Sequence, residues 1–132
     1  MKAISKVPTR GVQVGTRLAC ADNTGAKMLE IIAVKKFGGR RKRRPACGVG
    51  AVVVCAVKGG VQKLMHEKVA AVVVRQAMPY RRPNGMMIRF EDNAAVIIDE
   101  KNEPKGKEIK GVVAKEAVER FPSIGKIANV VL

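Results

Sequence analysis

Short apolar runs bounded by turn residues dominate the first hundred positions, at 16–21, 27–36, 51–57, 68–76, 86–90 and 94–99. Their length and their richness in Val and Ile predict β-strands. Alternation is partial in Met28-Leu29-Glu30-Ile31-Ile32-Ala33-Val34, whereas Val52-Val53-Val54 and Val72-Val73-Val74 are continuous. Unbroken runs of this kind belong to strands covered on both sides or closed into a small barrel. The spacing predicts a mainly β chain built as a compact barrel of five or six strands. Arg82-Pro83-Asn84-Gly85 sets a proline at the second position of a turn, followed by two residues that tolerate positive φ. It predicts a β-hairpin with a basic tip, joining a strand that ends near Gln76 to one that starts at Met86.

Beyond Glu100 the pattern changes. Residues 101–107 read as a polar loop, and Ala114, Ala117, Val118 and Phe121 then fall at i, i+3, i+4 and i+7. That period predicts one amphipathic helix. Glu116 and Arg120 are spaced to pair across a turn, Pro122 stops the helix, and Ser123 is placed to cap a short second one carrying Ile124, Ile127 and Ala128. The two short helices are expected to close one end of the barrel. With no repeat and no linker, 1–132 reads as a single domain, its first 100 residues the barrel with its basic loop and hairpin.

Charge sharpens the picture. The 132 residues carry a formal +15, and its distribution is uneven. Residues 1–90 hold 19 Lys/Arg and three Asp/Glu, while 91–132 hold seven and eight. A surplus of that size draws polyanions, which leaves nucleic acid, an anionic membrane or an acidic protein as partner classes. The first part is expected to face phosphate and the second to stay solvated or meet a protein.

Catalysis fails on inventory. His66 is the single histidine, and Ser5 and Ser123 are the only serines, so a Ser-His-Asp set lacks parts. Gly48-Val49-Gly50 lacks the third glycine of a dinucleotide fingerprint, and Gly59-Gly60-Val61-Gln62-Lys63 lacks the frame of a P-loop. Cys20, Cys47 and Cys55 form no C-x-x-C pair, which argues against a disulfide framework and a four-ligand zinc site. No cofactor or metal is expected. Neither a signal-peptide core nor an apolar run of about 18 residues is present, so a cytoplasmic protein with reduced thiols is expected.

The strongest chemical signal is Lys35-Lys36-Phe37-Gly38-Gly39-Arg40-Arg41-Lys42-Arg43-Arg44, seven cations in ten residues without an acid. Self-repulsion keeps such a run extended until a counter-ion arrives. Arg75, Arg81, Arg82 and Arg89 form a second basic set, suited to fork-shaped contact with phosphate. Four aromatics and no Trp make a platform for stacking unpaired bases hard to build. Recognition by phosphate and shape remains, which suits folded RNA or duplex DNA. The basic run has no interleaved apolar anchors, which disfavours a membrane surface.

Particular stretches carry a family resemblance. Ala21-Asp22-Asn23-Thr24-Gly25-Ala26, Gly48-Val49-Gly50, Ala71-Val72-Val73-Val74, Arg81-Arg82-Pro83-Asn84-Gly85, Phe90-Glu91-Asp92-Asn93-Ala94-Ala95-Val96-Ile97 and Gly111-Val112-Val113-Ala114-Lys115-Glu116 resemble the universal large-subunit ribosomal protein fourteen family, in its archaeal form. The resemblance implies a small five-stranded β-barrel with a projecting β-hairpin and two short C-terminal helices. It also implies no enzymatic activity and a structural role in translation: binding folded large-subunit rRNA at the subunit interface. Implied partners are neighbouring ribosomal proteins, small-subunit rRNA at intersubunit bridges, and the anti-association initiation factor six. Lys35, Lys36, Arg40, Arg41, Lys42, Arg43, Arg44, Arg75, Arg81, Arg82 and Arg89 are then expected on RNA. Lys115, Glu116, Glu119, Arg120 and Ser123 are expected on the protein-facing side. From the residues alone, a duplex-DNA architectural protein and a small hydrolase stay open.

Overall fold

The computed structural model describes residues 1–36 and 44–132. Five strands close a barrel in the order β2 (Arg17–Cys20), β3 (Ala26–Val34), β5 (Val52–Gly60), β6 (Lys68–Arg75) and β9 (Ala94–Ile98). Neighbours run antiparallel except at the closing seam, where β2 and β9 pair in parallel through Ala19 with Ala94 and Cys20 with Ala95. The predicted strand runs match these five closely.

The continuous valine runs have a direct explanation in packing. Val53, Cys55, Val57, Ala71, Val73, Ala95 and Ile97 join Leu18, Leu29 and Ile31 in one core, which draws on all five strands and fills the barrel. Their alternates Val52, Val72, Val74, Ala94, Val96 and Ile98 face outward into a second core. Ile109, Val113, Ala117, Phe121 and Ile124 cover that outer face. Both sides of β6 and β9 are dry around these residues, and the outer face of β5 is covered at Val52 and half-buried at Val54, so no polar alternation is required. The helices α1 (Lys115–Arg120) and α2 (Pro122–Ile127) therefore lie against the wall of the barrel, not over its end as expected.

Three further two-stranded pairs decorate the barrel. β1 (Val12–Gln13) pairs β4 (Ala46–Cys47), β7 (Tyr80–Arg81) pairs β8 (Met87–Ile88), and β10 (Ile109–Val113) runs parallel to β11 (Ala128–Val131). The hairpin thus sits apart from the barrel, in its own sheet, and does not continue the strand that ends at Arg75. Its turn bonds Gly85 N–H to Arg82 O at 2.9 Å, and Gly85 has φ +90°. A turn closed by a left-handed glycine is a common three-residue hairpin connection. Neither β10 nor β11 was expected. Ala128, read as part of a helical turn, opens a strand, and Ser123 Oγ donates to Asn102 O at 3.4 Å in place of capping α2.

Two buried polar side chains hold the connections. Asp22 takes Thr24 Oγ1–H at 2.6 Å on one carboxylate oxygen and Ile97 N–H at 2.9 Å on the other, tying the Asp-Asn-Thr-Gly turn to β9 across the seam. Gln76, fully buried, accepts Val49 N–H at 3.1 Å and donates to Thr9 O and Met78 O at 3.0 Å each. With every polar atom engaged, the amide joins the N-terminal arm, the Gly48-Val49-Gly50 turn and the approach to the hairpin.

The thiols pack as small hydrophobes. Cys47 and Cys55 are buried in the barrel core, and burial pushes them up to about 11 and about 12. Cys20 rises to about 12 by burial and by its bond to Asp22. Each native thiol keeps its proton to higher pH than the unfolded one, so its stabilisation is complete below about pH 9 and falls as pH climbs through the native values. Stability is expected to be flat from about pH 6 to 8.5, then to fall by roughly 1.4 kcal/mol per thiol per pH unit, read as a falling thermal midpoint. Cys55→Ala should weaken that alkaline slope; an unchanged slope would show that other groups set it.

Candidate nucleic-acid interface

The basic residues sort into two kinds. Lys35, Lys36, Arg44, Arg81 and Arg89 are exposed, and none forms an ion pair with a described carboxylate. Lys35 and Lys36 stand at the end of β3, where Lys36 adopts φ +62° as the chain leaves the barrel. Arg44 borders a hollow with Gln13, Val14 and Pro45. Arg81 and Arg89 flank the hairpin, with Arg81 Nη1 donating to Gly85 O at 3.1 Å. Arg40, Arg41, Lys42 and Arg43 lie outside the described residues.

Arg75 and Arg82 are of the second kind, turned to partners within the chain. The β6–β9 register slips between Val73 and Arg75. The extra residue of a bulge reverses the faces that follow it, so Arg75 leaves the barrel interior that strict alternation assigns it. Its guanidinium forks onto Asp92 at 2.9 and 3.2 Å, and Nη1 donates to Lys110 O and Val112 O. Gly111 makes the room: a Cβ there would stand 2.6 Å from Arg75 Nη1.

Arg82 is held more deeply. Its Nε donates to Glu116 Oε1 at 2.8 Å, the two side chains being 14% and 10% exposed. Tyr80, fully buried, donates its hydroxyl to Glu116 Oε2 at 2.7 Å, and Arg82 Nη2 donates to Leu132 O at 2.6 Å. Burial and the bonded Glu116 carboxylate both raise Tyr80 above the usual phenol range. For Arg82 burial acts downward, but the hydrogen bond and charge of Glu116 prevail and raise it. The cluster fixes hairpin, α1 and C-terminal segment as one body, so acids of residues 91–132 neutralise arginines of residues 1–90.

The expected Glu116–Arg120 pair is accordingly absent, and Lys115–Glu119 is the ion pair across that turn, at 3.8 Å and exposed. Arg120 turns away from α1 to donate to Gly50 O at 3.1 Å and to Met1 Sδ at 3.0 Å. There it lines a cavity of about 370 Å³ with Lys35, Lys36, Asn102, Met1, Ala51 and Val52. Sequence spacing carried no sign of that meeting, since 84 positions separate Arg120 from Lys36. Among the described residues no group of His, Cys, Asp or Glu is arranged to hold a metal ion, and no helix is long and apolar enough to cross a membrane.

Comparison with known proteins agrees with this architecture. The family model described as Ribosomal protein L14p/L23e matches residues 11–132. Proteins named large ribosomal subunit protein uL14 from Thermoplasma acidophilum and Methanoregula boonei are 48% and 46% identical over the whole of both chains. The one from Methanococcus vannielii is 44% identical over 99% of each. A five-stranded barrel of this sequence, matched along almost its entire length, belongs to the ribosomal protein L14p/L23e family, a family of structural, non-enzymatic proteins.

Proposed function

We propose that this chain, a structural constituent of the large ribosomal subunit in the cytoplasm, holds folded large-subunit rRNA through phosphate contacts and takes part in intersubunit bridges. The observation that carries the reading is the set of exposed cations, Lys35, Lys36, Arg44, Arg81 and Arg89, unneutralised by any described acid and mounted on a closed barrel or its braced hairpin. A rigid mount lowers the freedom lost on docking, and each phosphate contact releases counter-ions. Arg40, Arg41, Lys42 and Arg43 extend the same set along the chain. Arg75 and Arg82 contribute chiefly by holding the hairpin's surroundings in place.

The protein-facing side rests on Lys115 and Glu119, exposed on α1, and on the end of β11 with the residue that follows it, where Val130, Val131 and Leu132 are 53%, 45% and 54% exposed. Exposed apolar side chains in a row suit a neighbouring ribosomal protein. Glu116 is buried and Ser123 half-buried, so they support that surface from beneath. Small-subunit rRNA and the anti-association initiation factor six are the further partners proposed for this side of the particle.

Competition binding at matched salt tests the reading. Deproteinised large-subunit rRNA should displace duplex DNA from the full chain, and the chain should sediment with large subunits in lysate gradients at high salt. Equal preference for DNA, or absence from the subunit fraction, would overturn it.

A further inference from the structure

We infer that Lys35, Lys36 and Arg120 form a discrete seat for one RNA phosphate group, at the foot of the polycationic run. The inference rests on the proposed rRNA-binding role and gives it a specific address. Three cations line the 370 Å³ cavity and no carboxylate does. The nearby Asp99 is engaged in its own turn, accepting Lys101 N–H and Glu103 N–H.

The guanidinium of Arg120 is the unusual component. Its Nε is buried and has no hydrogen-bond partner among the described residues. One terminal nitrogen donates to Gly50 O, and the other to the thioether of Met1, a weak acceptor for a charged donor. Burial also pulls Arg120 below the usual guanidinium range. A desolvated cation with an unanswered N–H is stabilised by an incoming anion, and a phosphate oxygen is a far better acceptor than a thioether sulfur.

Lys35 and Lys36 supply point charges from the cavity's exposed side, where rearrangement costs little. Positions 40–44, a few residues further along the sequence, add five cations to a chain whose net charge of +15 draws polyanions, so the backbone of folded RNA is favoured over an isolated protein carboxylate. Met1 would then act as a placeholder over Arg120, displaced as RNA docks.

Binding of the full chain to deproteinised large-subunit rRNA is to be measured across a salt series. With Lys35→Gln and Lys36→Gln together, the plot of log affinity against log salt should become shallower by about two units. Arg120→Lys, which keeps the charge and removes the fork, should leave the slope and weaken binding about tenfold, as a lost charge-assisted hydrogen bond does. In the unbound chain, inorganic phosphate should shift the Arg120 Nε–H resonance, and less so in the double lysine variant. At matched ionic strength, phosphate should compete with rRNA more strongly against the wild-type chain than against Arg120→Lys. If the lysine variants match the wild type in affinity and slope, the seat is refuted while rRNA binding stands. A resonance that answers polyglutamate but not phosphate would assign the cavity to an acidic protein and refute it likewise. If the wild-type chain shows no preference for rRNA, both readings fall.

Discussion

Replacing Glu116 with Ala should destabilise the chain by about 3 kcal/mol, near the lower end for breaking a buried ion pair. The lower end applies because Arg82 and Glu116 retain 14% and 10% exposure. Loss of the carboxylate strands the Tyr80 hydroxyl and the Arg82 Nε–H together, since both donate to it. For a chain of this size the thermal midpoint should fall by roughly 10 °C. Removing the whole cluster, with Tyr80→Phe, Arg82→Leu and Glu116→Leu combined, should recover most of the loss, because nothing polar is then left unpaired. A single Glu116→Ala variant melting with the wild type would show that water satisfies the cluster and that the hairpin is not braced through it.

Converting Arg40, Arg41, Lys42, Arg43 and Arg44 to Ser should produce the largest change in RNA binding. If about six phosphates are neutralised in the wild-type complex, affinity should drop by roughly three decades between 50 and 200 mM salt. The five-fold substitution should make the log–log slope shallower by about four. Its thermal midpoint should move little, since a run of five adjacent cations has no apolar side chain to give to a core. The reverse pattern, a large fall in midpoint with unaltered RNA affinity, would reassign the run to holding the barrel.

The barrel was legible in the sequence because its physics is local. The valine run at 72–74 reports a strand with two dry faces, and that at 52–54 one whose outer face is only partly covered, wherever the covering elements come from. The period of Ala114, Ala117, Val118 and Phe121 marked the first helix, and the resemblance of quoted stretches narrowed five or six strands to five. The β10–β11 pair escaped because its members are 19 positions apart and parallel, so neither contains the signal that makes it a strand. Residues 124, 127 and 128 fit a helical period; Ile124 and Ile127 keep it within α2, and only at Ala128 does backbone pairing with β10 override it.

The basic site was legible as composition but not as geometry. Nothing near Arg75 announces the bulge that turns it toward Asp92, and Arg82 meets Glu116 across 34 positions. A Glu four residues ahead of an Arg promised a helical pair, yet a buried tyrosine and arginine outbid the exposed alternative for Glu116. Long-range desolvated partners override local spacing because water screens the local pair.

The closing seam sets how the barrel comes apart. Two parallel residue pairs, with Ala19 N–H to Asn93 O and Ala21 N–H to Ala95 O, join strands some 75 positions distant, and Asp22 clasps the same edge through Ile97. The remaining strand pairs make longer antiparallel ladders. Slow native-state fluctuations should therefore begin here, with β2 peeling from β9, so that the amides of Ala19 and Ala21 trade hydrogen for deuterium well before those of Val53 and Val72.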